Sequence, residues 1–194
     1  DFNLKLNYKV NDKNRFFWTI YTGNDAFSNE ASAKLYSFGL SWNNIVSTVR
    51  WNHIYNTKLF SNTTVYSTRY NYYLYLSKEQ NDFWNSSILN KAIKMDFNYY
   101  PNPLNTIKFG FELNSHSSNP GNVQFSDTTI QKKVPAISKY RSRAFILYAG
   151  NEQELTERLT LRYGCRLNVW QDIGTTAVYY FDENYQVMDT SFVN

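Results

Sequence analysis

The sequence has little of what a disulfide framework, a metal centre or a membrane helix requires. Its 194 residues include one cysteine, two histidines, seven glycines and four prolines. The single Cys165 excludes an internal disulfide, and without a CxxC pair or a Cys/His cluster we expect neither a metal nor a cofactor. The longest apolar run, from Ala144 to Ala149, is far shorter than the roughly 20 residues of a membrane helix. A helical membrane protein and a collagen-like chain are therefore excluded.

Motifs of catalysis and of nucleic-acid binding are also missing. No GxGxxG, GxxxxGK[ST], GxSxG or HExxH occurs in the chain. His53 and His116 fall on separate predicted strands near opposite ends of the molecule, so we expect no shared site between them. The net charge is +4 without a basic run, which does not fit a nucleic-acid partner. We therefore predict that the chain is not an enzyme.

What the sequence does contain is alternation with a period of two residues. The clearest case runs from Leu159 to Val169, where every second residue is apolar. Alternation of this kind, with many Thr, Tyr and Val residues, is typical of β-strands. The sequence predicts an all-β protein with about eight strands, and it leaves open which side of 59–76 and of 140–150 faces outward. The other predicted strands are 2–10, 16–22, 45–55, 59–76, 93–99, 107–113 and 140–150.

Connections between the predicted strands alternate between short and long. A transmembrane β-barrel has short turns on its periplasmic side and long loops outside, so the pattern predicts an antiparallel up-and-down transmembrane β-barrel. A soluble lipocalin-like barrel or β-sandwich is the alternative, but such folds favour shorter strands. Short turns are predicted at 11–14, 56–58, 101–105 and 151–157, long connections at 23–43, 77–84 and 116–137, and a long tail after Trp170. Rings beside the short turns predict an interfacial girdle: Tyr8, Tyr55, Phe60, Tyr99 and Tyr100.

Seven charged residues occupy the polar positions of the predicted strands. If the opposite face meets lipid, they point into a lumen, because an Arg at mid-bilayer on the lipid face costs roughly 2–4 kcal/mol. The turn at Pro101 makes Asp96 and Lys108 cross-strand neighbours, while Gly110 and Gly164 leave gaps on the same face. Two roles are open to these charges: they solvate the wall, or they line a solute path. They are Arg50, Lys94, Asp96, Lys108, Glu112, Arg162 and Arg166.

Three aromatic residues are predicted to contact a ligand. Phe83, Trp84 and Phe125 are apolar side chains in otherwise polar predicted loops. Loops on a rigid barrel are free to vary and to carry specificity. The alternative is that these rings pack against neighbouring loops or form part of an outer-leaflet belt.

Three phrases along the chain resemble the barrel of TonB-dependent outer-membrane receptors of the Bacteroidetes type. Residues 47–64 (STVRWNHIYNTKLFSNTT) are similar to one hairpin of that family, and 97–110, with the phrases YYPNP and IKFG, to another. Residues 151–167 (NEQELTERLTLRYGCRL) look like a third. Cys165 departs from the apolar residue that is usual there, although a thiol packs as a small hydrophobe. The three phrases follow one another in order over most of the chain.

The resemblance implies that residues 1–194 are a segment of one outer-membrane β-barrel domain, without its plug. Such a barrel has about 22 strands, of which this chain would supply about eight. The implied function is uptake of a scarce solute, such as a siderophore, glycan or peptide, across the bacterial outer membrane. TonB would act through the absent N-terminal part, and the expected partners are outer-membrane lipid, the solute and a surface lipoprotein. The alternative is a complete eight-stranded outer-membrane barrel acting as an adhesin, an anchor or a small enzyme.

Overall fold

The described part of the chain is built from β-strands. A computed structural model describes residues 1–29, 38–77, 82–124, 138–174, 176–182 and 186–193. All regular elements in these segments are strands, and the segments contain no helix of the length and apolarity that a membrane crossing requires. The prediction of an all-β chain is confirmed.

Eight strands form one antiparallel sheet in which the order across the sheet equals the order along the chain. Strands β1 and β8 are the edge strands of this sheet, and a separate two-stranded antiparallel sheet follows. The predicted up-and-down arrangement is therefore confirmed for this sheet. The strands are β1 Phe2–Asn11, β2 Asn14–Asn29, β3 Phe38–Ile54, β4 Leu59–Ser77, β5 Asp82–Tyr99, β6 Asn105–Gln124, β7 Tyr140–Thr156, β8 Leu159–Asp172, β9 Thr176–Phe181 and β10 Val187–Val193.

The strands are longer than the sequence pattern predicted. The pairing of β2 with β3 is continuous from Asn14 opposite His53 to Asn29 opposite Phe38. Most of the long connection predicted at 23–43 is therefore ladder. Polar stretches rich in Asn and Ser looked like loop, but a ladder is held by backbone hydrogen bonds and accepts polar side chains on both faces.

Other predicted connections need the same correction. β5 begins inside the connection predicted at 77–84, and β6 extends into that predicted at 116–137. The turn predicted at 151–157 is only Glu157–Arg158, because β7 continues to Thr156. The tail after Trp170 holds the end of β8 and the β9–β10 hairpin. The β1–β2, β3–β4, β5–β6 and β7–β8 turns lie at one end of the strands, the short-turn edge, and the other connections lie at the opposite end, the long-connection edge. The predicted alternation of length holds only in part, because the β4–β5 connection is only residues 78–81 and is no longer than the turn at 55–58.

Each short turn is closed by a side-chain oxygen of an Asn or Thr. This oxygen accepts a hydrogen bond from the backbone N–H two residues later, which is the geometry of an Asx or ST turn. The Asn56 Oδ1 accepts from Lys58 N at 2.8 Å and from Leu59 N at 3.0 Å. One use of the 25 asparagines is therefore to make tight turns. The other three pairs are Asn11 with Lys13, Asn102 with Leu104 and Thr156 with Arg158.

The first short turn also carries an ion pair. The Lys9 ammonium lies 2.5 Å from the Asp12 carboxylate. This hydrogen bond, with the attraction between the charges, lowers the pKa of Asp12 below its ordinary value. The side chain is fully exposed, so solvent screens the pair and its contribution to stability is small.

The register sorts the side chains of the eight-stranded sheet onto two faces. Antiparallel partners share a face and successive residues alternate, so one row of partners assigns all eight strands. We call the face with Leu167 the apolar face and the face with Arg166 the polar face. The row through Leu167 contains Leu147, Phe111, Met95, Thr63, Trp51, Phe16 and Tyr8. The row through Arg166 contains Tyr148, Gly110, Asp96, Asn62, Asn52, Arg15 and Lys9.

These rows settle the faces that the sequence left open. In β4, Val65 is on the apolar face and Tyr66 on the polar face, and in β7 Leu147 and Tyr148 divide in the same way. Among the rings predicted to form a girdle, Tyr8 and Tyr99 lie on the apolar face, but Phe60, opposite Asn98, lies on the polar face. Tyr100 stacks on Phe60 with ring centres 6.2 Å apart, so these two predicted girdle rings do not belong to a girdle on the apolar face.

We expect Asn56→Ala to destabilise the sheet, because two backbone donors of the β3–β4 turn lose their acceptor. The free energy of unfolding should fall by about 0.5–1.5 kcal/mol, measured as a lower urea midpoint by tryptophan fluorescence. Asn3→Ala is the control, since Asn3 is an exposed strand residue whose side chain makes no hydrogen bond to the described residues. Equal midpoints for Asn56→Ala and the unchanged protein would contradict this role of the turn.

Candidate functional site

All seven charged residues predicted to share a lumen-facing surface lie on the polar face. Arg50 is opposite Thr64, Lys94 is opposite Glu112, and Asp96 is opposite Gly110. In β8, Arg162 and Arg166 are opposite Glu152 and Tyr148. Lys108 is opposite Asn98 and Gly150.

The centre of this face contains a tyrosine that reaches across a strand. Tyr66 on β4 donates a hydrogen bond from its Oη to Glu112 Oε1 on β6, at 3.0 Å. Between them, on β5, lies Ala92, which is only 6% exposed. A larger side chain at Ala92 would occupy the path of the Tyr66 ring, so the small residue allows the contact.

A second tyrosine does the same in the opposite direction. Tyr148 on β7 donates a hydrogen bond to Asp96 on β5, and the residue on the strand between them is Gly110. A Cβ atom on Gly110 would lie 2.6 Å from the Tyr148 Oη and would overlap the Met95 carbonyl oxygen. The prediction that Gly110 leaves a gap is therefore wrong, because the Tyr148 ring fills that space.

Lys94 connects the two tyrosine–carboxylate pairs. Its Nζ lies 3.1 Å from Asp96 Oδ1 and 5.8 Å from the centre of the Tyr148 ring, and it is directly opposite Glu112. We call Tyr66, Lys94, Asp96, Glu112 and Tyr148 the tyrosine–carboxylate cluster. It links four strands, β4 to β7, and presents hydroxyl, carboxylate and ammonium groups on one surface.

Two details of the predicted charge pairing are changed by the register. Asp96 and Lys108 are predicted to be cross-strand neighbours that form an ion pair, but Gly110 is the direct partner of Asp96, and Lys94 on the same strand supplies its cation. The reason is a register offset of two residues, which places Lys108 opposite Asn98.

Beside the cluster, Gly164 marks a close approach of two backbones and not a gap, since a Cβ atom there would lie 2.7 Å from the Ala149 carbonyl oxygen. Gly164 and Gly150 are partners at a groove of about 470 Å³. Lys108, Arg162 and Arg166 line it, and Arg162 donates a hydrogen bond to Glu152 Oε1 at 2.8 Å. This end of the polar face therefore presents cations around a backbone depression.

Toward the long-connection edge, the polar face becomes aromatic. Tyr72 and Trp84 meet edge to face with their ring centres 5.8 Å apart, and Phe27 and Phe38 lie 6.0 Å apart. The register joins both pairs through a row in which Phe27, Leu40, Leu74 and Trp84 are successive partners. We call this surface the aromatic patch: Phe27, Phe38, Leu40, Trp42, Tyr70, Tyr72, Leu74 and Trp84.

Sequence reasoning misses most of the aromatic patch because the polar composition of residues 23–43 predicts a loop. A signal was present, since Phe38, Leu40 and Trp42 alternate with Gly39 and Ser41. The rings from β4 could not be assigned, because both faces of that strand carry aromatics. The register of β3 with β4 makes the assignment.

The structure does not bring the predicted ligand residues together on one surface. Phe83 and Trp84 lie in β5 and not in a loop. As neighbours in a strand they face opposite ways: Phe83 is opposite Tyr75 on the apolar face, and only Trp84 belongs to the aromatic patch. Phe125 lies outside the described residues.

Trp84 is held against a glycine. The Trp84 indole lies against Gly121, and a Cβ atom at Gly121 would overlap it. Gly121 has φ of 122°, in the left-handed region that favours glycine. The contact fixes the ring at the end of the polar face that is nearest the long connections.

The two histidines form no common site. His53 lies on the apolar face with its Nδ1 2.8 Å from Asn14 Oδ1, whereas His116 lies on the polar face with its Nδ1 2.6 Å from Asn90 Oδ1. In the described ranges, no group of three or more His, Cys, Asp or Glu side chains could hold a metal ion.

Comparison of the chain with protein-family models, curated proteins and solved structures finds no match.

We expect Gly110→Ala to disrupt the tyrosine–carboxylate cluster. The new methyl would overlap the β5 backbone and displace Tyr148, and overpacking of this kind lowers the free energy of unfolding by about 1–3 kcal/mol. The measurement is the urea midpoint. Gly39→Ala is the matched control, because its Cβ would have no atom closer than 3.6 Å. Equal midpoints for the two variants would contradict the packing of Tyr148 on Gly110.

Proposed function

We propose that this chain is part of a TonB-dependent outer-membrane receptor that binds and takes up a scarce solute. The observation that carries the proposal is the division of one long meander into an apolar face and a polar face. The apolar face suits lipid and the polar face, with all seven predicted charges, suits a lumen. The resemblance of three phrases to the Bacteroidetes-type receptors supplies the class of barrel.

The course of the apolar residues across the strands supports a tilted membrane crossing. On β1 they are Phe2, Leu4, Leu6, Tyr8 and Val10; the row through Tyr8 ends at Leu167 on β8, where alternation continues to Leu159. Past this row the apolar residues continue for two residues on β1, to Val10, and for eight residues on β8, to Leu159, so the border of the apolar band shifts by six residues over the seven steps between eight strands. A strand tilt of about 35–45° shifts a horizontal band by roughly one residue per strand step.

Strand length and the connections support the same orientation. Strands β2 to β8 contain 14 to 20 residues, whereas a tilted crossing needs only about 9–11. The strand residues beyond the length of a crossing lie toward the long-connection edge. There the apolar face also becomes polar, as at Asn43, Asn71 and Ser87. We therefore place that edge outside the cell.

Two features favour a segment of a large barrel over a complete eight-stranded one. Strands β1 and β8 are the edge strands of the sheet and are not paired with each other. The polar face also carries a groove at Gly150 and Gly164, whereas a closed eight-stranded barrel fills its interior with side chains.

The polar face supports a path for the solute. We place the first contact at the aromatic patch, where rings can stack on a sugar or an aromatic siderophore group. The tyrosine–carboxylate cluster lies further along the same face, toward the short turns, and offers hydrogen-bonding groups. TonB would release the solute inward by moving the plug of the intact receptor.

The orientation of the faces can be tested with spin labels in native outer membranes, on a Cys165→Ser background. Labels at Phe109 and Leu161 should contact oxygen dissolved in lipid, while labels at Lys108 and Arg162 should contact a water-soluble nickel chelate. These pairs are matched, because each member is one residue from its partner. A lipid-exposed Arg162 together with a water-exposed Leu161 would overturn the proposal.

Ligand contact can be tested with two neighbouring rings on opposite faces. Trp84→Ala should weaken solute uptake by up to about tenfold, since an aromatic contact contributes about 0.5–1.5 kcal/mol. Phe83→Ala is the control and should leave uptake unchanged. Heat-modifiable migration on gels reports barrel assembly in both variants. If Trp84→Ala loses this migration but retains uptake, the ring is structural and the assignment is wrong.

A further inference from the structure

The charges on the apolar face are all of one sign. Apart from the irregular pairing of Ser77 with Asp82 at the end of β4 and β5, the register places four charged strand residues on this face of β1 to β8, and all four are cations. The carboxylates nearest to them along the strands, such as Glu112 and Asp96, lie on the polar face. The four side chains are exposed, and none forms an ion pair with another described residue. We call them the basic belt: Arg69, Lys91, Arg141 and Arg143.

The basic belt occupies two adjacent rows. One row contains Ser67, Lys91, Ser115 and Arg143 as successive partners, and the next contains Arg69, Leu89, Ser117 and Arg141. Lys91 and Arg143 are two strands apart, so their backbones are about 10 Å from each other. Their long side chains can converge on one anion above Ser115, whose hydroxyl can also donate.

An apolar row borders the belt on its short-turn side. Val65, Ile93, Leu113, Phe145 and Val169 are successive partners in this row. A groove of about 730 Å³ lies along both rows and is lined by Lys91 and Arg143 as well as by the apolar side chains. A ligand with an anionic head and apolar chains would place its head against the cations and its chains against the apolar row.

The opposite end of the apolar face has different chemistry. At the short-turn edge it carries Tyr99 and Tyr163, and the register places no charged strand residue there. Uncharged aromatic rings suit an ordinary headgroup region. Four unpaired cations at the other interface suit an anionic lipid surface, because Arg and phosphate form strong charge-assisted hydrogen bonds. The two edges thus match a membrane whose two leaflets differ.

We propose that the basic belt binds the phosphate groups of a phosphorylated glycolipid of the outer leaflet, with the acyl chains of that lipid on the adjoining apolar row. This inference rests on the proposed function, which places the long-connection edge outside. Lys91 and Arg143 bind the phosphate between them, and Arg69 and Arg141 extend the positive surface toward the sugar headgroup.

The test uses the intact receptor purified in detergent and titrated with bisphosphorylated lipid A, with binding read by native mass spectrometry. The double variant Lys91→Gln/Arg143→Gln should bind this lipid roughly tenfold or more weakly, since each lost bond to a charged group is substantial. The matched control Arg162→Gln/Arg166→Gln removes two cations from the polar face and should bind normally. Lipid A stripped of its phosphates should bind the unchanged receptor as weakly as the double variant binds the phosphorylated form.

Several outcomes would overturn the inference. They are equal binding of the phosphorylated and stripped lipids, normal binding by the belt variant, and a stable protein partner or second copy on the belt in place of lipid.

If the double variant fails to assemble, Lys91→Arg and Arg143→Lys keep the charges and should keep lipid binding; loss of binding in both would also count against the inference. A spin label at Phe145 separates this result from the proposed function: a lipid-exposed label with unaltered lipid A binding leaves the receptor proposal intact, whereas a water-exposed label removes both.

Discussion

The continuous antiparallel ladder is the constraint on which every other feature depends. Because side chains alternate with a period of two, a slip of one residue in any pair of strands would move all later side chains to the other face. The β3–β4 pairing keeps one register from Gly39 opposite Tyr75 to Ile54 opposite Phe60. Together with the other pairings, this register places the seven predicted charges, which come from four strands, on the polar face and leaves an apolar surface behind it.

The polar face is stabilised by large side chains that cross small ones. Tyr66 crosses Ala92 to reach Glu112, and Tyr148 crosses Gly110 to reach Asp96. Each tyrosine links two strands that are not neighbours, so the cross-links add to the backbone ladder. The same principle holds at the aromatic patch, where Trp84 lies against Gly121. Small residues on this face therefore make room for particular rings, and enlarging one would remove a contact between strands.

The two ends of the strands, the short-turn edge and the long-connection edge, differ in chemistry on both faces of the sheet. At the short-turn edge, Asx and ST turns hold the backbone tightly and rings occupy the apolar face. At the long-connection edge, the polar face carries the aromatic patch and the apolar face carries the basic belt. A strand crossing between two unlike surroundings would show this division.

Several properties follow from the sequence by itself. Period-two alternation depends only on local geometry, so β8 and the common face of all seven charged residues could be read directly. Strand ends could not, because the Asn- and Ser-rich segments 24–29 and 115–122 are held in strands by backbone partners that lie far away in sequence. The tertiary structure alone decided the faces of β4 and β7, the separation of Phe83 from Trp84 and the filling of Gly110 by Tyr148. Each of these depends on which residue of a neighbouring strand lies opposite, and that register is a long-range property that no local pattern contains.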